Sequence, residues 1–193
     1  ELKAIRYAEK FSKDVLQLNL IFRFAHDRIQ QAAYMILDKE TKKVFNYKIG
    51  QVRLANIPST KRKRRIFEIV GYFNVALDLV ASKEELQQIV KLNFIASQRA
   101  QSSAAYKEAL SFGRIAYELM EVDIWQQDYA FAFEFFMHFA QCELLNANYE
   151  RAERFFVLCL EKIEKAENLV KVYIAKMYLY TTMSLPEKAI EIG

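Results

Sequence analysis

Glycine and proline are nearly missing: four Gly and two Pro in 193 residues. The glycines stand at 50, 71, 113 and 193, and none heads a Gly-x-x-x-x-Gly-Lys-Ser/Thr run, so no phosphate-cradling loop is encoded. Histidine is as scarce, with His26 and His138 far apart and no Ser or Cys elbow beside either. No nucleophile-base triad can be written, and no catalytic residue is named. The two cysteines, Cys142 and Cys159, fall on separate predicted helices and read as reduced thiols of a cytoplasmic chain, with no disulfide required. There is no long uninterrupted apolar run. The longest, 129–145, carries Glu134, His138, Gln141 and Glu143 and is too polar to be inserted in a membrane. Charge of one sign is lacking too: Lys+Arg 28 against Asp+Glu 24 leaves +4, too balanced to imply nucleic acid by itself.

What remains is an all-α composition. Hydrophobic residues make up 53% of the chain, enough for a real core, and Leu, Ala, Glu, Lys and Gln abound. Fifteen Phe and eleven Tyr are many for a helical protein. They call for helices buried on more than one side, as in a stacked solenoid.

The chain reads in three parts. In 1–37, a short helix over 2–12 precedes two β-prone runs, Val15 to Leu18 and Leu20 to Phe24, with Asn19 at the turn; Leu20 to Phe24 also reads as the start of the next helix. Helix, small hairpin and helix is how a winged-helix domain ends. The helix from Asp27 to Leu37 places Ile29, Ala32, Ala33, Ile36 and Leu37 on one face, with Asp27 favouring the positive end of its dipole. In 38–81, a helical linker, the spacing predicts a helix over about 41–55 burying Val44, Phe45, Ile49, Val52 and Ala55. Another, over about 63–80, uses Phe67, Val70, Phe73, Leu77 and Val80.

From Ser82, a predicted N-cap with Glu85 as its capping-box partner, the chain repeats. Tyr106-Lys-Glu-Ala109, Tyr149-Glu-Arg-Ala152 and Pro186-Glu-Lys-Ala189 share one pattern, at spacings of 43 and 37 residues. Those spacings are near the roughly 34-residue period of tetratricopeptide repeats. The small Ala is needed where paired helices cross closely. The predicted pairs are 83–101 with 104–119, 127–146 with 148–165, and 167–183 with 186 onward. The fold expected for 82–193 is therefore a tetratricopeptide-like array of helical hairpins, a right-handed solenoid cut in its third repeat, and the chain is expected to be a piece of a longer one.

Taken together, Phe22-Arg-Phe-Ala-His-Asp-Arg-Ile-Gln-Gln-Ala-Ala-Tyr34, Ile49-Gly50, Phe67-Glu-Ile-Val70 with Asn74, and Ala104-Ala-Tyr-Lys-Glu-Ala-Leu110 carry a resemblance across essentially the whole chain. The sequence resembles the helical region that follows the ATPase module in large multidomain predicted ATPases of the signal-transducing, AAA-related class. In that class the module accompanies protein-kinase-like and sensor histidine-kinase domains. The resemblance implies that ATP or ADP, with Mg, binds an upstream module, and that this chain needs no cofactor of its own. It also implies that His26 and Asp27 sense nucleotide in the parent protein, the imidazole donating to a phosphate and the carboxylate capping the helix. The alternative is that His26 is a helix-start residue bonded to local backbone.

Lys61, Arg62, Lys63, Arg64 and Arg65 form the sharpest charge cluster. Five cations at a helix start oppose its dipole, which leaves a phosphate, an acidic partner or nucleic acid as functional readings and a solvated junction as the structural one. His138 and Cys142 share a helix face, and Cys159 sits on the next helix, but no Cys-x-x-Cys accompanies them and no metal site is expected. The function expected is a non-catalytic interaction and relay segment of a signalling protein, whose partners are domains of the same chain and proteins on the repeat face. A nucleic-acid-associated transcriptional regulator using 61–65 is the alternative.

Overall fold

The computed structural model describes residues 27–192. The predicted helix over 2–12, the β-hairpin and winged-helix tail over 15–24, and His26 lie outside the described residues. The chain divides after Lys42 into two units. In the first, helix α1 (Asp27–Ile36) leads to Asp38, whose carboxylate caps α2 (Lys39–Asn56): Thr41 donates its N–H at 2.9 Å and its hydroxyl at 2.6 Å. These bonds, the hydroxyl's first, hold the Asp38 carboxyl below its usual range. Ile36, expected to face inward, is exposed, as is Met35.

The second unit is helical throughout its described length. After α2 come α3 (Ser59–Arg62), a 3-10 turn at Lys63–Arg65, α4 (Ile66–Asn74) and a 3-10 turn at Leu77–Leu79. The single helix expected over 63–80 is thus broken twice. Asn74 ends α4 and pairs its amide reciprocally with buried Asn93, at 2.8 and 2.9 Å. The buried face of α2 also differs from expectation. Val44, Phe45, Val52 and Ala55 are exposed, whereas Gly50, Leu54 and, past the helix end, Ile57 are buried, with Tyr47 packed against them. Gly50 decides this: a Cβ there would stand 3.2 Å from the Phe73 ring, so the bare backbone lets α2 lie against α4.

From α5 (Lys83–Ser102) onward the helices come in pairs. α5 packs on α6 (Tyr106–Leu119); after a short α7 (Ile124–Gln127), α8 (Tyr129–Leu145) packs on α9 (Tyr149–Glu161), and α10 (Ala166–Thr182) on α11 (Pro186–Glu191). Ser82 caps α5 by accepting the Glu85 N–H at 3.4 Å. The Glu85 carboxylate does not return to the cap; it takes hydrogen bonds from Tyr47 and Gln51 instead. That bond raises the Tyr47 phenol to about 12. Ala109, Ala152 and Ala189 are all buried where paired helices cross, as the repeated motif requires.

One turn recurs in each pair. Ala104, Ala147 and Ser184 adopt φ of 58°, 60° and 57°, and the next residue's N–H donates to the carbonyl five back: Ala105 to Ala100, Asn148 to Glu143 and Leu185 to Tyr180, each at 2.9 Å. This is the Schellman closure, normally given to Gly because a Cβ in the left-handed region costs about 1–2 kcal/mol. Ala104→Gly, Ala147→Gly and Ser184→Gly are each expected to raise stability by up to about 1 kcal/mol, read as a higher urea midpoint with unchanged m. A loss at all three would refute the strain.

Candidate functional site

The first helices of the three pairs, α5, α8 and α10, share a groove of about 1000 Å³. Its walls combine amides, apolar surface and cations: Gln98 and Gln101 from α5, Met137 and Gln141 from α8, Lys171 and Tyr178 from α10. The walls are fixed to one another. Gln98 donates to Glu134 at 3.1 Å across α5 and α8, and the Tyr129 hydroxyl accepts from Glu164 N–H at 3.1 Å and Asn168 Nδ2 at 3.2 Å. Such a surface, apolar with amide side chains along it, suits a polypeptide whose backbone offers both donors and acceptors.

His138 lies at the base of the groove, nearly buried, with its ring edge-on to Phe94 at 5.4 Å. Its Nε2 is 2.8 Å from Ser97 Oγ. The Ser97 hydroxyl donates to the Ala109 carbonyl at 2.7 Å, so its oxygen accepts from Nε2–H, and the imidazole is the neutral Nε2–H tautomer. Burial pulls its pKa down to about 4. A Ser-His contact at this distance resembles half of a hydrolytic triad, but the serine proton is committed to a backbone carbonyl and Ser97 is fully buried. Among the described residues no carboxylate bonds the ring. The contact ties α5 to α8.

The depressed value makes stability pH-dependent. The unfolded imidazole takes a proton near 6.5 while the folded one resists until about 4, so the unfolded state binds more protons between those values and stability falls as pH falls through them. The loss from pH 7 to pH 5 is expected to be about 2 kcal/mol. Urea midpoints at the two pH values, compared with those of His138→Leu, check it; an equal slope in the variant would assign the effect elsewhere.

Cys142 does share the His138 face, its Sγ 3.4 Å from Nε2. Both thiols are buried, and burial raises Cys142 to about 11 and Cys159 to about 12, the opposite of what a thiolate ligand needs. Among the described residues no group of three or more His, Cys, Asp or Glu side chains is placed to hold a metal ion.

Within the basic run, Arg62 is turned away from the other four cations, which are exposed. Arg62 turns back on α2, donating Nε to the Ile57 carbonyl at 3.1 Å and Nη2 to that of Leu54 at 3.0 Å. The Arg62 guanidinium therefore sits at the negative end of α2, which favours it, although the run as a whole lies at the start of the next helix, which does not favour cations. Arg65 lies 3.9 Å from Glu68, while Lys61, Lys63 and Arg64 are exposed. The Lys63 carbonyl accepts from Arg99, whose guanidinium covers the Phe67 ring at 5.2 Å.

A second polar constellation escaped the sequence reading. Glu143 is fully buried, with Arg151 Nε 3.0 Å from Oε1, Arg114 Nη2 3.6 Å from Oε2, and Asn148 donating to Oε2 at 2.6 Å. One carboxylate thereby joins α6, α8 and α9. The groove's amides and Lys171 were missed as well. The available signal was positional, since Gln98 and Gln141 are 43 residues apart, the repeat spacing itself.

No protein-family model matches the chain, and no solved structure matches it. It is similar to the hybrid signal transduction histidine kinase G of Dictyostelium discoideum, 28% identical over 205 aligned residues that cover 93% of this chain. The chain spans 6% of the length of that relative. The similarity supports a signal-transduction context. Among the described residues no helix is long and apolar enough to cross a membrane.

Proposed function

We propose that the chain is a non-catalytic interaction and relay segment of a multidomain, cytoplasmic signalling protein, in which a tetratricopeptide-like array couples the nucleotide state of an upstream ATPase module to a kinase output. The observation that carries this reading is the groove across α5, α8 and α10, with its amide-lined walls braced by cross-helix hydrogen bonds. Similarity to a hybrid histidine kinase supplies the context. Helix pairs that pack as stiff units give the relay its physical basis, because a partner seated in the groove shifts any equilibrium in which the groove differs between two states. In this reading His26 and Asp27 sense ADP bound, with Mg, to the upstream module. The partners are other domains of the same chain and a polypeptide in the groove.

The test uses the full-length protein carrying Gln141→Glu and Lys171→Glu, two exposed groove positions. Nucleotide-dependent phosphoryl transfer is expected to lose its dependence on partner or nucleotide while circular dichroism is unchanged. Full coupling in the variant would end the groove reading. ADP retention by His26→Ala checks the sensor separately, since unchanged affinity would remove that role. Nucleic-acid binding through 61–65 is less favoured, because Arg62 is spent on backbone carbonyls; DNA affinity unaffected by neutralising Lys61, Lys63 and Arg64 would dismiss it.

A further inference from the structure

The repeat spacing lets the first helices be superposed residue by residue. Ile89, Val90, Asn93, Phe94 and Ser97 on α5 correspond to Ala132, Phe133, Phe136, Met137 and Ala140 on α8, 43 residues later, and all ten are buried. They form one helical face, with spacing i, i+1, i+4, i+5, i+8. Of that face on α5, Phe94 meets Phe131 and Phe135 of α8 and Ser97 meets His138, while Asn93 turns back to Asn74 of α4; on α8, Phe133 and Met137 line the groove shared with α10, beside the Tyr129–Asn168 contact.

Another 37 residues on, the same face of α10 is Leu169, Val170, Tyr173, Ile174 and Met177. It is apolar but uncovered: Val170 is 57% exposed and Ile174 62%. The remainder of α10 keeps the register, since Val172, Lys176, Leu179 and Tyr180 are buried where Phe135, Phe139, Cys142 and Glu143 are on α8. Apart from Tyr178, which lines the groove, the large apolar side chains exposed on α10 lie on this face, and Val170 and Ile174 stand where Val90 and Phe94 of α5 and Phe133 and Met137 of α8 are buried. A helical array that ends there would present polar residues on that face, as capping repeats do. This one presents five apolar side chains.

We infer that the Leu169, Val170, Tyr173, Ile174, Met177 face of α10 is the stacking surface for the first helix of a fourth pair, supplied by the same polypeptide after residue 193. The inference rests on the repeat-array part of the proposed function. Its argument is continuity: Phe94 on α5 packs on α8, its equivalent Met137 and the neighbouring Phe133 stand beside α10 in the groove, Val170 and Ile174 hold the same positions on α10, and the occupant is a helix with the complementary apolar stripe. That the chain corresponds to only 6% of its histidine kinase relative fits a segment with much polypeptide around it.

The experiment compares the 193-residue chain with the parent polypeptide that continues beyond it, each with and without Val170→Glu plus Ile174→Glu. Amide exchange in α10 is expected to slow at least tenfold in the longer chain, and the double variant to abolish that protection. In the 193-residue chain the variant should leave exchange and circular dichroism unchanged. If the longer variant fails to fold, Val170→Thr plus Ile174→Thr gives the same comparison with a milder loss. Equal exchange in the two lengths overturns the inference, as does a continuation without helix. Protection that depends on protein concentration, with a dimer in sedimentation that the variant dissociates, overturns it in favour of a second copy. Ile174 also lines the groove and Val170 does not, so Val170→Glu alone repeats the comparison off the groove; a failure there with coupling still lost in Gln141→Glu plus Lys171→Glu leaves the functional reading standing.

Discussion

Phe139→Ala is expected to destabilise the protein by about 3–5 kcal/mol, the range for removing a buried aromatic. Phe139 is fully buried in α8, where its ring meets Phe155 of α9 at 4.9 Å, Tyr117 of α6 at 5.4 Å and Phe135 at 5.6 Å. Three helices from two successive pairs converge on it, so the cavity would open where the pairs join. Collapse around it is hindered on one side. A Cβ added at Gly113 would come within 2.9 Å of Phe139 Cδ2 and 3.1 Å of Cε2, so the α6 backbone passes close to that edge of the ring. The same contact predicts non-additivity. Gly113→Ala gains about 1 kcal/mol of helix propensity but loses about 1–3 kcal/mol to overpacking, and Phe139→Leu should remove most of that overpacking. Denaturant titration of the two single variants and the double decides it. Additive effects within about 0.5 kcal/mol would mean that the ring and Gly113 do not press on each other.

The second large effect is expected at Glu143. Removing both arginines, with Arg114→Ala and Arg151→Ala together, leaves a fully buried carboxylate with Asn148 alone. Breaking a buried pair costs about 3–5 kcal/mol, and because both arginines are half-exposed, solvent already screens part of their attraction; about 3 kcal/mol is the better figure. Each single substitution should cost well under half of that, since one guanidinium remains. Adding Glu143→Gln to the double variant is expected to recover most of the stability, because a neutral amide keeps the Asn148 bond and has no charge to bury. Should the double variant lose less than about 1 kcal/mol, the carboxylate would have to be stabilised by something other than the arginines.

Of the seven helices from Lys83 onward, all but the short α7 were legible because their apolar spacing, the Ser82 cap and the Tyr/Pro-x-x-Ala motif all agree. In the segment before them that agreement is lost. α2 carries two apolar faces, and counting side chains favours Val44, Phe45 and Val52, which are exposed; the packed face depends on Gly50, which a hydrophobicity count scores as nothing. Five adjacent cations read as a ligand site or a solvated junction, but only a structure shows that the Arg62 side chain folds back onto carbonyls five and eight residues before it. Glu143 read as a residue that interrupts an apolar stretch. Its partners Arg114 and Arg151 come from two other helices, a pairing no local pattern records. The His138 and Cys142 neighbourhood was read from i, i+4 spacing, whereas Ser97, the residue that fixes the imidazole tautomer, comes from the preceding pair.

The three left-handed turns at Ala104, Ala147 and Ser184 also bear on how the protein is assembled and pulled apart. Each closes its pair with hydrogen bonds spanning a few residues, so every pair can form before its neighbours exist, and growth proceeds by adding a preformed unit to an exposed helix face. Under tension such an array yields in steps, one pair per step.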